Sequence, residues 1–495
     1  MTSAAGGVPA ALAGTALLSA CVVAGSSAAR RHELSNGPGR GLGRRSPRFR
    51  RVRVVVVITA ATGLALLAAA CSTGKASTAA AAAASAPDCL TKTPPTCYTP
   101  RVFLTAYGIQ PLLDRGIDGR GVTVVLPEEA ETGPARPSRR AGGVTDIRQD
   151  VADFDRRFGL PPARIQVITT LAGSSASPWL AGGEELLDTE MVHAVAPDAT
   201  IRELLVATAD MGTPAKGAAA FATYVRIAVR QHADVISQSG TGQQFCAGED
   251  TFTRAEVATM NSALEYAAAR HVTVVAASGD YGAAGDYRIG YGSCPPVRQV
   301  NLPASDPLVL TAGGTDLTAN PVTGAYISET AWNTAITAKG GPPVKASGGG
   351  FSRLFARPAY QDGVPGIGAT RGVPDVAGDA SPTGMALARS APGGGYKLSP
   401  GGGTSAAAPL WAGLIALADQ EAGHPLGFVN PTLYQIARGP LYHKAFHDVT
   451  IGNNTVVTLT RPPVTITGYQ AGPGWNPVTG WGTPDAQVLI PLLAR

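Results

Sequence analysis

The sequence has 495 residues, 44% of them hydrophobic and 15% charged, which gives apolar mass for a large core and excludes disorder throughout. Its formal net charge of +5 is local in origin: residues 1–75 carry ten Lys/Arg, from Arg30 to Lys75, against the acid Glu33, and beyond them 34 acids outnumber 30 bases. A basic surface for nucleic acid is therefore not expected on the remainder.

Residues 1–53 form a basic N-terminal segment that also contains an apolar run from Ala10 to Ala29. Residues 54–71 follow as an apolar stretch ending in small residues before Cys71, which is the order of a signal peptide. It is similar to a bacterial lipoprotein signal, so a lipid on Cys71, a membrane anchor and a cleaved signal all stay open. Each of these places the rest of the chain outside the cell or at its surface. Residues 72–96, rich in Ala, Ser, Thr and Pro, read as a tether. Cys21 and Cys71 belong to the leader; Cys89, Cys97, Cys246 and Cys294 remain, an even number that suggests two disulfides in an exported domain. Cys89–Cys97 and Cys246–Cys294 are the favoured pairs.

From Cys97 onward, short β-branched runs alternate with longer helical ones. GVTVVLP, TIRELLVA, ADVISQS and HVTVVAAS predict buried strands, and KGAAAFATYVRIAVRQH and RAEVATMNSALEYAAAR predict crossover helices. The alternation implies an α/β fold in which a parallel sheet carries helices on both faces, with sites at the C-terminal strand ends. Gly313 to Gly403 is rich in Gly and Pro, and long surface loops are expected there.

Three patterns carry chemistry. In PGGGTSAAAPLWAGLIALADQ a glycine-rich turn delivers Thr404 and Ser405 to the start of an apolar helix, where unpaired N–H groups and the positive dipole end favour an oxyanion. Ser405 is the candidate nucleophile, and Pro409 is expected in the first helical turn. In GGEELLDTEMVHAVAPDATI, Glu184 and Asp188 lie four apart on a predicted helix and share one face, where like charges coexist by sharing a proton. Glu185 is the alternative base. No histidine is followed by glycine; His193, the nearest candidate for a histidine base, reads better as a helix residue. Finally, SGDYGAAG after the strand HVTVVAA offers Asp280 at a turn.

GTSAAAP resembles the nucleophile motif of subtilisin-like peptidases. The spacing of Glu184, Leu187, Asp188, Ala196, Pro197 and Ala199 resembles the sedolisins, or serine-carboxyl peptidases. LPASDPLVLTAGGT, ETAWN, SGGGFS and VPDVAGDASP follow in that family's order. The resemblance covers residues 97–495 and implies one subtilisin-like peptidase domain. It implies Ser405 as nucleophile, Glu184 as its base, Asp188 as orienting partner and Asp280 as oxyanion donor, with proteins or peptides cleaved at acidic pH by a monomer. FHDVTIGNN and AGPGWNPVTGWGTPD resemble the family's calcium loops, which implies one structural Ca2+ on the side chains of Asp448 and Asn476 and the carbonyls of Val449, Gly472 and Gly474. Asn476 stands where the family has aspartate. Gly240 replaces a family tryptophan after the strand ADVISQS, LPEEAETG departs from the family's loop, and the stretch from Cys71 to Thr96 is too short for a folded propeptide. A tripeptide-releasing exopeptidase and a non-catalytic surface lipoprotein are the alternative readings.

Overall fold

Strand and helix order follow from where apolar residues recur. The structure, a computed structural model, describes residues 88–92, 95–130, 146–169, 183–207, 212–240, 246–285, 296–334, 344–381, 383–390, 395–458 and 462–495. The leader segments 1–53 and 54–71, most of the tether and Cys294 lie outside them. Among the described residues, no helix is long and apolar enough to cross a membrane. Ala80–Arg495 groups as one unit.

Two short helices, α1 (Pro100–Ala106) and α2 (Gln110–Leu113), precede β1 (Thr123–Ala130). Then come α3 (Ile147–Phe158), β2 (Arg164–Thr169), α4 (Glu184–Val195), β3 (Thr200–Ala207), α5 (Pro214–Arg230), β4 (Val235–Gln238), α6 (Arg254–Ala268) and β5 (Thr273–Ala277). β6 (Leu310–Ala319), β7 (Tyr326–Ala331), β8 (Gly350–Ala356), β9 (Thr370–Val373), β10 (Val376–Asp379), β11 (Ala386–Ser390) and β12 (Tyr396–Pro400) lead to α7 (Thr404–Ala422). α8 (Asn430–Ala437), α9 (Tyr442–Ala445) and α10 (Ala486–Leu493) close the chain. The main sheet runs β10-β6-β5-β4-β1-β3-β2 with every neighbouring pair parallel, and β7 adds antiparallel to β6.

Both faces of this sheet are covered, which is why its strands read as near-continuous apolar runs. Val124 and Leu126 of β1 pack with Val235, Val275 and Val376 under α4 and α7. Val125, Ile236, Val274 and Ala276 face α5 and α6 on the other side. The period of two thus assigns each strand residue to a face. α5 and α6 start on polar caps: Thr213 before Pro214 of α5, and a Thr253/Glu256 capping box on α6.

The stretch from Gly313 to Gly403, expected as loops, instead contains most of β6 and all of β7 to β12. Its small residues permit close packing. A Cβ on Gly378 of β10 would come within 2.7 Å of Leu410 on α7, so glycine lets the helix settle onto the sheet. The VPDVAGDASP string is structural here: Asp375 takes both terminal nitrogens of buried Arg371 at 2.7 Å and the Tyr434 hydroxyl at 2.8 Å. Cys89 and Cys97 form a disulfide and are buried, so the domain is already packed at the end of the tether segment. Cys246 is also disulfide-bonded.

Candidate active site

The helix that carries Ser405 is buried along most of its length. From Thr404 to Asp419 every residue except Ser405 is buried, and Ser405 is half-buried. Its apolar side packs on the sheet, where Trp411 Nε1 donates to the Ala377 carbonyl of β10 at 2.8 Å. α4 lies along it so closely that a Cβ on Gly413 would sit 2.7 Å from Val195.

Pro409 is the sixth residue of α7 and not part of its first turn, which corrects the sequence expectation. Its missing N–H leaves the Ser405 carbonyl without a helical donor. The hydroxyl of Ser239, just past the C-terminal end of β4, donates to that carbonyl at 3.2 Å. Ser239 also hydrogen-bonds the carboxyl of Asp188.

Glu184 begins α4 and is half-buried, and Asp188 one turn later is 1% exposed. Burial raises the Asp188 carboxyl well above its ordinary value, and the charges of Glu184 and Glu203 raise it further. The carboxyl hydrogen-bonded to Asp188 is Glu128, while Glu184 acts on Asp188 through its charge. Glu128, itself buried, is likewise raised well above the ordinary range, by burial first and then by Asp188 and its acidic neighbours. Glu203 on β3, with its hydrogen bond from Thr189, is pushed up to about 8 by burial. Glu185 is turned away into a local role, accepting the Gly183 N–H at 2.9 Å.

Glu128 and Glu203 are the site residues that motif matching missed. A signal was present: counting by two from Val124 and Leu126 puts Glu128 on the α4 face, and counting from Ile201 does the same for Glu203. The two strands pair with Leu126 opposite Glu203 and Glu128 opposite Leu205.

Asp280 lies at the turn after β5. Its Oδ1 accepts the Thr404 N–H at 2.8 Å and the Thr404 hydroxyl at 3.0 Å, and Thr404 Oγ1 in turn accepts the Gly279 N–H at 3.1 Å. Oδ2 faces the Lys345 ammonium at 3.4 Å. Gly403 has φ +79°, and a Cβ there would lie 2.8 Å from Asp280 Oδ2. Asp280 is thus tied to the residue preceding Ser405, while Asp188 reaches Ser405 through Ser239. His193 is fully buried on α4 with Nε2 against Asp155 at 2.9 Å and the Pro161 carbonyl at 3.0 Å, a packing role.

The sequence pattern of the subtilase family matches residues 167–482. The chain belongs to the subtilase family. Within it the likeness is to sedolisins: kumamolisin from Bacillus sp. (strain MN-32) is 34% identical over 419 residues, covering 81% of this chain and 65% of that protein. Sedolisin from Pseudomonas sp. (strain 101) is 32% identical over 355 residues, 70% of this chain and 56% of that protein. The chain therefore spans less than two thirds of the length of these relatives. A solved structure described as Pseudomonas sedolisin, a serine-carboxyl proteinase complexed with two molecules of pseudo-iodotyrostatin, superposes with TM-score 0.61 at 28% identity, covering 80% of this chain and 97% of that one.

In sedolisin-like chains the calcium loops should also assemble. Asp448, Val449, Gly472, Gly474 and Asn476 do come together, but through hydrogen bonds among themselves. The Asn476 amide nitrogen donates to the Val449 carbonyl at 3.2 Å and the Gly472 carbonyl at 3.1 Å, and Asp448 accepts the Gly474 N–H at 3.1 Å. As they stand these residues do not fit a cation, because donors occupy the Asp448 carboxylate and the Val449 and Gly472 carbonyls.

Proposed function

We propose that this subtilase-family chain is a serine-carboxyl endopeptidase that hydrolyses protein or peptide substrates at acidic pH through Ser405, Glu184 and Asp188. The observation that carries the reading is a half-buried serine at the start of an otherwise buried helix, whose backbone carbonyl accepts the Ser239 hydroxyl that also hydrogen-bonds a buried carboxyl. Burial keeps Asp188 protonated through acidic pH, and Glu184 can then hold the negative charge of the pair. Glu184 takes the proton of the Ser405 hydroxyl as Oγ bonds to the substrate carbonyl carbon, and returns it to the leaving amine as the acyl-enzyme forms. Water then attacks the acyl carbon by the same proton route. Charge on the carbonyl oxygen is met by the Ser405 N–H at the helix start, with Asp280, held beside Thr404, as the second residue of the oxyanion site. At higher pH the carboxyls around Asp188 ionise together and repel, which supports an acidic working range.

In this reading the leader exports the enzyme, and the Cys89–Cys97 disulfide is consistent with an oxidising compartment. The test is proteolysis of denatured protein by the purified chain between about pH 3 and 5, compared with Ser405→Ala. Loss of cleavage in the variant supports the mechanism. Cleavage that survives it, or that appears only above neutral pH, overturns it. Mass mapping of the products distinguishes internal cleavage from release of tripeptides.

A further inference from the structure

We propose that the carboxamide of Asn476 takes the place of a metal ion between the two C-terminal loops, so that this part of the fold is built without calcium. The inference rests on family membership and local geometry and is independent of the peptidase mechanism.

The orientation of the amide is fixed by its neighbours. Asn476 Oδ1 accepts the N–H of Val478 at 3.1 Å, the N–H of Thr479 at 3.0 Å and the Thr479 hydroxyl at 3.1 Å. Backbone N–H groups can only donate, so an oxygen must stand there. The NH2 group therefore points the other way, and its two hydrogens meet the carbonyls of Val449 and Gly472. Both amide hydrogens thus find carbonyl acceptors, and the residue is 4% exposed. Rotating the amide to offer its oxygen to a cation would press NH2 against two N–H donors, leaving buried groups unpaired.

The charge balance points the same way. Asp448 is the loop carboxylate, and both its oxygens already lie 3.1 Å from the Gly474 N–H. Calcium favours several anionic oxygens, whereas a neutral amide donor satisfies two carbonyls and adds no charge.

The staple also reaches the candidate active site. The Val478 carbonyl, two residues on, accepts the Ser347 hydroxyl at 2.6 Å, and the next N–H, that of Gly348, donates to the Gly279 carbonyl at 2.7 Å beside Asp280.

Thermal unfolding of the purified chain in EDTA and in CaCl2, with a calorimetric calcium titration, tests this. The wild-type protein is expected to unfold at the same temperature in both and to give no binding heat. Asn476→Asp places a carboxylate oxygen against two carbonyls; that variant is expected to unfold at lower temperature in EDTA, to recover in CaCl2, and to bind one calcium. A wild-type melting temperature that falls in EDTA and is restored by calcium overturns the proposal. So does an Asn476→Asp protein that matches wild type in EDTA and ignores calcium. If that variant does not fold, the wild-type titration decides alone.

Discussion

Pro409 has no N–H to offer the carbonyl of Ser405 four residues earlier, and that carbonyl accepts the Ser239 hydroxyl at 3.2 Å instead. A helix defect thereby becomes a link between the serine and Asp188. A hydroxyl has one hydrogen, so Ser239 can donate to Ser405 and to a carboxylate only in turn. While Asp188 is protonated it can donate to Ser239, and Ser239 is released to hold Ser405.

Ser239→Ala removes this link. The fold should lose about 1 kcal/mol, and kcat should fall roughly 10-fold or more because the serine turn is less well held. Melting curves and steady-state kinetics on a quenched peptide check the two effects. Equal kcat in the variant and the parent would show that the bridge does not matter to turnover.

Glu203 sets a pH dependence of stability. Its carboxyl is raised from its ordinary 4.5 to about 8, chiefly by burial. A raised folded-state value means its contribution is complete below the ordinary value and is lost as pH rises toward about 8. Wild-type protein should therefore melt at progressively lower temperature from acid to neutral pH. Glu203→Gln does not titrate and should flatten that decline, with a gain on the order of a few kcal/mol at the alkaline end. A Tm profile unchanged by the substitution counts against the assignment.

Glu128 separates hydrogen bonding from charge. It hydrogen-bonds the Asp188 carboxyl, and burial raises both groups. Glu128→Gln keeps a donor in nearly the same volume and should retain most activity at acidic pH. Glu128→Ala deletes the hydrogen bond, which raises Asp188 further and leaves a cavity beside it. The expected order of kcat/KM is wild type, then Gln, then Ala, read from full pH profiles.

Gly403→Ala forces a Cβ into a left-handed backbone and toward Asp280 Oδ2. The strain is worth about 1–2 kcal/mol. The displacement of Asp280 should cost more in rate, with kcat falling roughly 100-fold if Asp280 assists the oxyanion. A melting temperature that drops while kcat holds would assign Gly403 to folding alone.

Ser405, Glu184, Asp188 and Asp280 each sit in a motif whose spacing reflects a strand end or a helix turn, and those local geometries are dictated by sequence. The strands GVTVVLP and HVTVVAAS were readable because a sheet covered on both faces needs unbroken apolar runs. Glu128 was hidden because two glutamates after a proline read as the exit from a strand, while β1 continues through them to Ala130. Ser239 directly precedes Gly240, the position that departs from the family, and its link to Ser405 comes from a proline 170 positions away in the chain. For Asn476 the substitution was visible, but its meaning depends on which way the amide turns, and that is decided by the N–H groups of Val478 and Thr479.

The depth of α7 has a consequence for motion. A helix whose flanks touch the sheet and α4 cannot unravel locally, since exposing its middle amides requires both layers to separate. Hydrogen exchange at Leu410 through Leu417 should thus proceed only when the entire domain opens, at the slowest rate in the protein. A nucleophile mounted on such a mast stays fixed while surface loops fluctuate, and it disappears abruptly, not gradually, when the molecule melts.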